Sequence, residues 1–125
     1  MIQEEKSLLL KDLCARLPYG IKCKDQYSDY INVNIYNVHI EHLIDQILSG
    51  VIKMILRPMS SMTEEEKKEF NSLINGVEER CINAYGKGGY TLAFTEVNDW
   101  LNAHHFDYRG LIEKDLALEA PEGMY

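Results

Sequence analysis

From Tyr30 to Tyr36 apolar and polar side chains alternate, with Ile31, Val33 and Ile35 to one side and Asn32 and Asn34 to the other. Only an extended strand turns a period of two into a single oily face. A few residues on, the period changes: Ile40, Leu43, Ile44, Ile47 and Leu48 recur at three and four, which is the stripe of a helix, and Gly50 is placed to end it in the left-handed conformation. The phase slips near Asn37, where Val38 and Ile40 take over the apolar parity, and this marks a bulge or the end of the strand. A chain carrying both periods so close together has to close helix and sheet around one interior.

The rest of the chain is read in the same way. Leu10, Leu13, Cys14 and Leu17 predict an amphipathic helix with Lys11, Asp12 and Arg16 on its polar side, stopped by Pro18. Tyr19 to Lys24 alternates as a half-buried strand, and Val51 to Leu56 is apolar and β-branched enough for a central strand that ends at Arg57-Pro58. Thr63 and Glu66 have the spacing of a capping box, with acids gathered at the positive end of the helix dipole, and Phe70, Leu73, Ile74 and Val77 supply that helix's buried stripe up to Asn75-Gly76. A hairpin is predicted from Arg80–Tyr85 and Tyr90–Phe94 around Gly86-Lys87-Gly88-Gly89. Thr95 then caps a helix with Val97, Trp100, Leu101 and His104 on one stripe, Asp107 caps a short helix over 108–114, and Leu116-Ala117-Leu118 forms an edge strand. The expected fold is α+β, a small mixed or antiparallel sheet of three to five strands packed against three to four helices. It forms one domain over residues 1–125 with a flexible tail from about 121.

Charge narrows the function classes. With 20 acids against 13 bases the formal charge is −7, and the excess lies after Met62. Net repulsion from phosphates speaks against unspecific nucleic-acid binding, although a local basic patch formed in three dimensions would escape such a count. The opening Met1-Ile2-Gln3-Glu4-Glu5-Lys6 is acidic where an export signal is basic, and no apolar run approaches the roughly 20 residues that span a bilayer. A soluble cytoplasmic protein is expected. The three cysteines, Cys14, Cys23 and Cys81, have no metal or disulfide spacing and read as buried reduced thiols.

Few residues suggest chemistry. His39 and His42, with Glu41 and Asp45 nearby, could offer metal ligands, but two histidines at i, i+3 lack a locatable third partner and read equally as surface residues beside the Ile40 stripe. His104, His105 and Asp107, with Arg109 close behind, form the other candidate cluster, since an aspartate can orient an imidazole for acid–base work. Adjacent helical residues diverge by about 100°, however, which favours a helix-end role for the pair of histidines. The glycine-rich run at 86–89 lacks the spacing of a phosphate loop, and Ser60-Ser61 lacks the setting of a nucleophile. No catalytic residue, metal or cofactor is assigned. Of the eight tyrosines, Tyr27, Tyr30 and Tyr36 surround the best strand and suit a protein-binding surface, because the ring gives contact area and the hydroxyl a polar handle; an ordinary sheet face is the plainer alternative.

Three blocks, Lys11–Cys23, Leu56–Glu66 and Asp99–Lys114, together about a third of the chain, resemble a family of short uncharacterised proteins from gut anaerobic bacteria and their phages or mobile elements. The resemblance implies a bacterial accessory protein of mobile-element type and carries across no catalytic or binding residue. The sequence thus nominates a non-enzymatic protein that acts through a protein partner of unknown identity. A small enzyme or metal protein using His104, His105 and Asp107, and a nucleic-acid-associated protein, are the alternatives. Oligomeric state is open.

Overall fold

The computed structural model describes residues 1–77 and 89–125, with the backbone alone for 89–93. Among the described residues, four α-helices and four strands follow in the order α1 (Gln3–Arg16), β1 (Ile21–Lys24), β2 (Tyr30–Val33), α2 (Ile40–Leu48), β3 (Lys53–Leu56), α3 (Glu64–Asn75), α4 (Gly89–Ala103) and β4 (Ala117–Glu119), with a short 3-10 turn at Met59–Ser61 before α3. The sheet order is β2-β1-β3-β4, antiparallel except for the β3–β4 pair, so the architecture is α+β with a mixed sheet. Among the described residues no helix is long and apolar enough to cross a membrane.

Register sorts the sheet into two faces. Ile21, Cys23, Ile31, Val33, Met54, Leu56 and Ala117 turn toward Leu9, Leu13 and Leu17 of the first helical segment and Ile47 of α2, forming the main apolar core. The opposite face carries Lys22 beside Asn32, Lys24 beside Tyr30 and Lys53, and Ile55 beside Leu118. A second cluster gathers Val77, Val97, Leu101 and Phe106 with Phe70, Leu73 and Trp100. It joins α3 to α4.

Several local expectations are met for the reasons given. Thr63 Oγ1 accepts from Glu66 N, and the Glu66 carboxylate accepts from Thr63 N, completing the capping box. Gly50 takes φ +83°; its amide donates to Ile47 O and that of Val51 to Gln46 O, the paired bonds of a left-handed helix end. β3 is central, and β4 lies at the edge.

Others need correction. The strand predicted to Tyr36 stops at Val33, because Asn34 and Asn37 bend the chain: the Asn37 carboxamide oxygen accepts from Asn34 N, and Asn34 Oδ1 accepts from Tyr36 N. Ile35 is left 46% exposed. Residues Tyr90–Phe94 are helical rather than extended, and Thr95 lies inside α4 instead of capping it. Arg80–Tyr85, most of the glycine run and Cys81 lie outside the described residues. Asp107 does hold backbone amides, but those of Leu111 and Ile112, and residues 108–114 make turns rather than a helix. The tail expected to be flexible is tied down. Tyr125 Oη accepts from Lys22 N and donates to Ile55 O, bridging β1 and β3 just where their direct pairing stops at Cys23–Met54.

The largest departure is in α1. Its buried line is Leu9, Asp12, Leu13 and Arg16, whereas Leu10 and Cys14 are exposed. Asp12 and Arg16, expected on the polar side, are fully buried and pair through Nε–Oδ2 at 2.7 Å and Nη2–Oδ1 at 3.1 Å. Arg109 Nη1 adds a third donor to Asp12 Oδ1 at 2.9 Å. Removing the carboxylate strands two guanidinium groups, so Asp12→Ala should destabilise by about 3–5 kcal/mol. Lys67→Ala, which breaks an exposed pair with Glu64, should cost under about 0.5 kcal/mol. Urea-denaturation midpoints compare the two directly.

Candidate functional site

The segment from His104 to Arg109 was singled out for chemistry, and the structure puts its four candidate side chains into separate environments. His104, at the end of α4, stacks on Trp100 with centroids 4.1 Å apart, its Nδ1 2.9 Å from the Trp100 carbonyl. One residue later the backbone enters the left-handed region, at φ +65°, and this swings His105 the other way to stack on Tyr125 at 3.8 Å. The Asp107 carboxylate is filled by the Leu111 and Ile112 amides, and Arg109 reaches Asp12 and the Tyr108 hydroxyl. No aspartate orients either imidazole.

What this segment does is join elements. Arg57 N donates to His105 O and Asp107 N to Arg57 O, so the chain here continues β3 as a parallel bridge. Phe106 O accepts from Arg16 Nη2 at 2.7 Å, its ring lies 4.2 Å beneath the Arg57 guanidinium, and Tyr108 Oη donates to Asn102. A run of His, Asp and Arg that resembles catalytic machinery in sequence serves as a hub of hydrogen bonds.

The other histidine pair stays outside. His39 and His42 are exposed at the start of α2, and no group of three His, Cys, Asp or Glu side chains among the described residues could hold a metal ion. Cys14 is exposed, which corrects its expected burial. Cys23 is buried, and burial pushes its thiol up to about 12.

Tyr27, Tyr30 and Tyr36 do share a region: they border β2, the edge strand, and are 76%, 58% and 85% exposed. Asp25 Oδ1 accepts from both Tyr27 N and Asp29 N at 2.8 Å, which fixes the β1–β2 turn with Tyr27 at its tip. At the other end the Asn34–Asn37 turn fixes Tyr36, and Asn37 Nδ2 donates to Asn32 O, closing one acceptor along β2's outer edge. Ile35 and Val38 extend the same exposed surface. Between the turns, Lys24 Nζ sits 5.7 Å over the Tyr30 ring. Compared with protein-family models, with curated proteins and with solved structures, the chain matches none of them.

Residues that the sequence left unremarked complete the picture. Tyr125, Lys22 and Arg16 surround His105, and only the fold reveals it, because they come from both ends of the chain. Burial, then the charges of Arg16 and Arg57, holds the His105 imidazole down to about 4 from an ordinary 6.5. In the folded chain it is therefore neutral where the unfolded chain takes up a proton, so its contribution is complete above pH 6.5 and is lost as pH falls toward 4. Glu66, held down to about 2 chiefly by its hydrogen bonds from Arg57, adds a second loss below its ordinary 4.5. Urea midpoints should thus fall in two stages on acidification. His105→Asn, which suits a positive φ, should flatten the slope between pH 6.5 and 4, worth about 2 kcal/mol, and leave the lower stage in place.

Proposed function

We propose that this chain is a non-enzymatic protein-interaction module, with Tyr27, Tyr30 and Tyr36 as its contact surface. The observation that carries this reading is the bracing of the two most exposed rings: Tyr27 and Tyr36 each sit on a turn fixed by side-chain acceptors, at opposite ends of the edge strand. Rigid aromatic residues that are already positioned lose little entropy on binding, and tyrosine is the residue type that interfaces favour. Among the described residues neither the Tyr27 nor the Tyr36 ring packs on a partner, and exposed apolar surface of this kind costs solubility.

The partner is a protein with a basic surface, since the chain's −7 charge and the acidic residues after Met62 favour encounter with the opposite sign. An enzyme built on His104, His105 and Asp107 is disfavoured by what those groups already hold. On the resemblance of three sequence blocks we assign the protein to the bacterial cytoplasm, as an accessory protein of a phage or mobile element.

Affinity capture with the wild-type chain and with Tyr27→Ser/Tyr36→Ser, each checked by thermal denaturation, tests the reading. The double variant should keep its stability to within about 0.5 kcal/mol, as surface changes do. It should lose a partner that the wild type retains, with binding at least tenfold weaker in a purified pair. Equal capture by both chains would exclude this surface.

A further inference from the structure

A second site lies where the tail meets the sheet, sharing Asn34 with the turn that fixes Tyr36. Lys22, Asn32, Asn34, Tyr19, His105 and Tyr125 line an open depression of about 210 Å³, room for roughly seven waters. No aspartate or glutamate lines it. Lys22 Nζ donates to Met124 O and lies 5.6 Å over the Tyr125 ring, leaving further N–H donors and no acidic partner among the described residues. The Asn32 side chain makes no hydrogen bond there, and the Asn34 amide nitrogen is likewise uncommitted, its oxygen being taken by Tyr36 N. Asp99 meets the hydroxyl of Tyr19, one of the lining residues.

Two buried polar atoms near this depression lack partners: Nδ1 of His105, in its wall, and Nη1 of the fully buried Arg16, whose Nη2 binds the carbonyl of the next residue, Phe106. Buried polar atoms without partners are uncommon, and an unpaired donor on a guanidinium is costly. Asp12 is shared by two arginines, so the network behind the wall carries more positive than negative charge. His105 also holds a positive φ, a strained conformation for a non-glycine residue and one that concentrates at functional sites.

We propose that this depression binds a small oxyanion, the carboxylate or phosphate group of a small metabolite, through the Lys22 ammonium and the Asn32 and Asn34 amides, with the buried Arg16 guanidinium behind them supplying further positive charge and the neutral His105 ring forming part of the wall. The site adjoins the tyrosine surface through Asn34, but none of its proposed ligands is a tyrosine of that surface. Its volume limits the ligand to something the size of a short organic acid or a phosphorylated three-carbon unit.

Amide and side-chain NMR shifts of the full chain, titrated separately with sodium phosphate, sodium acetate and, at matched ionic strength, sodium chloride, test the assignment. Shifts at Lys22, Asn34 and His105 should saturate with phosphate or acetate at a dissociation constant of about 1 mM or tighter, and not with chloride. Saturation by phosphate alone makes the ligand a phosphoryl compound, and by acetate a carboxylate. Lys22→Met and Asn32→Ala, each shown folded by its melt, should weaken the fit at least tenfold and about threefold. Linear shifts shared by all three salts overturn the proposal, and so does saturation that persists unchanged in Lys22→Met.

Discussion

The fold is held at its centre by charge rather than by oil. Asp12 and Arg16 lie on the buried side of α1, and the pair stands at the seam between two apolar clusters, one of sheet, α1 and α2, the other of α3, α4 and Phe106. Arg16 reaches across to the Phe106 carbonyl, and Arg109 returns from the far side to Asp12. Two cores that would otherwise slide against each other as greasy surfaces are thereby given one register. Hydrogen bonds of fixed length and direction specify a geometry that apolar contact leaves loose.

That seam explains why the segment His104–Arg109 is so densely polar. Arg57 and Asp107 exchange backbone hydrogen bonds there, Asp107 stitches down the turns that follow, and the left-handed His105 turns the chain so that Tyr125 can stack on it. The tail then closes over the sheet's second face, its hydroxyl filling the gap between β1 and β3. One short loop therefore connects the first helix, the central strand, the last strand and the end of the chain. Its polar groups have structural duties, His105 Nδ1 excepted.

The sequence makes the parts legible and hides the assembly. Period and punctuation located α2, its Gly50 end, the Thr63–Glu66 capping box, the central β3 and the edge β4, because each depends on neighbours within a turn or a strand. The α1 stripe failed by about a quarter turn: Leu9 and Leu10 are equally apolar, and nothing local says that Asp12 and Arg16, at i, i+4 like any surface pair, turn inward to meet a partner 97 residues away in Arg109. The same blindness kept His104, His105 and Asp107 as a candidate cluster beside the favoured helix-end reading. The extent of β2 was lost to the Asn34–Asn37 turn, in which asparagine side chains compete with the ladder for the backbone. Of the tyrosine surface, the residues were legible but not their bracing, since Asp25 and Asn34 read as ordinary loop polarity. The depression at Lys22 had no local signal at all, being built from the first strands and the last residue.

The chain's acidity and the lysines on one sheet face are consistent once geometry is considered. Lys22, Lys24 and Lys53 stand together because strands β1 and β3 pair in a register that aligns them, while the acids are spread over helices and turns. Each ammonium has an aromatic or carbonyl companion: Lys22 the Tyr125 ring and Met124 O, Lys24 the Tyr30 ring, Lys53 the Asp115 carbonyl and carboxylate. Only Lys53 is neutralised by an acid among the described residues. A negative molecule thus keeps a small positive face beside its tail, and the long-range field that repels a polyanion leaves a short anion, screened over about 8–10 Å at physiological salt, free to reach it. Size selection follows from where the charges lie rather than from their sum.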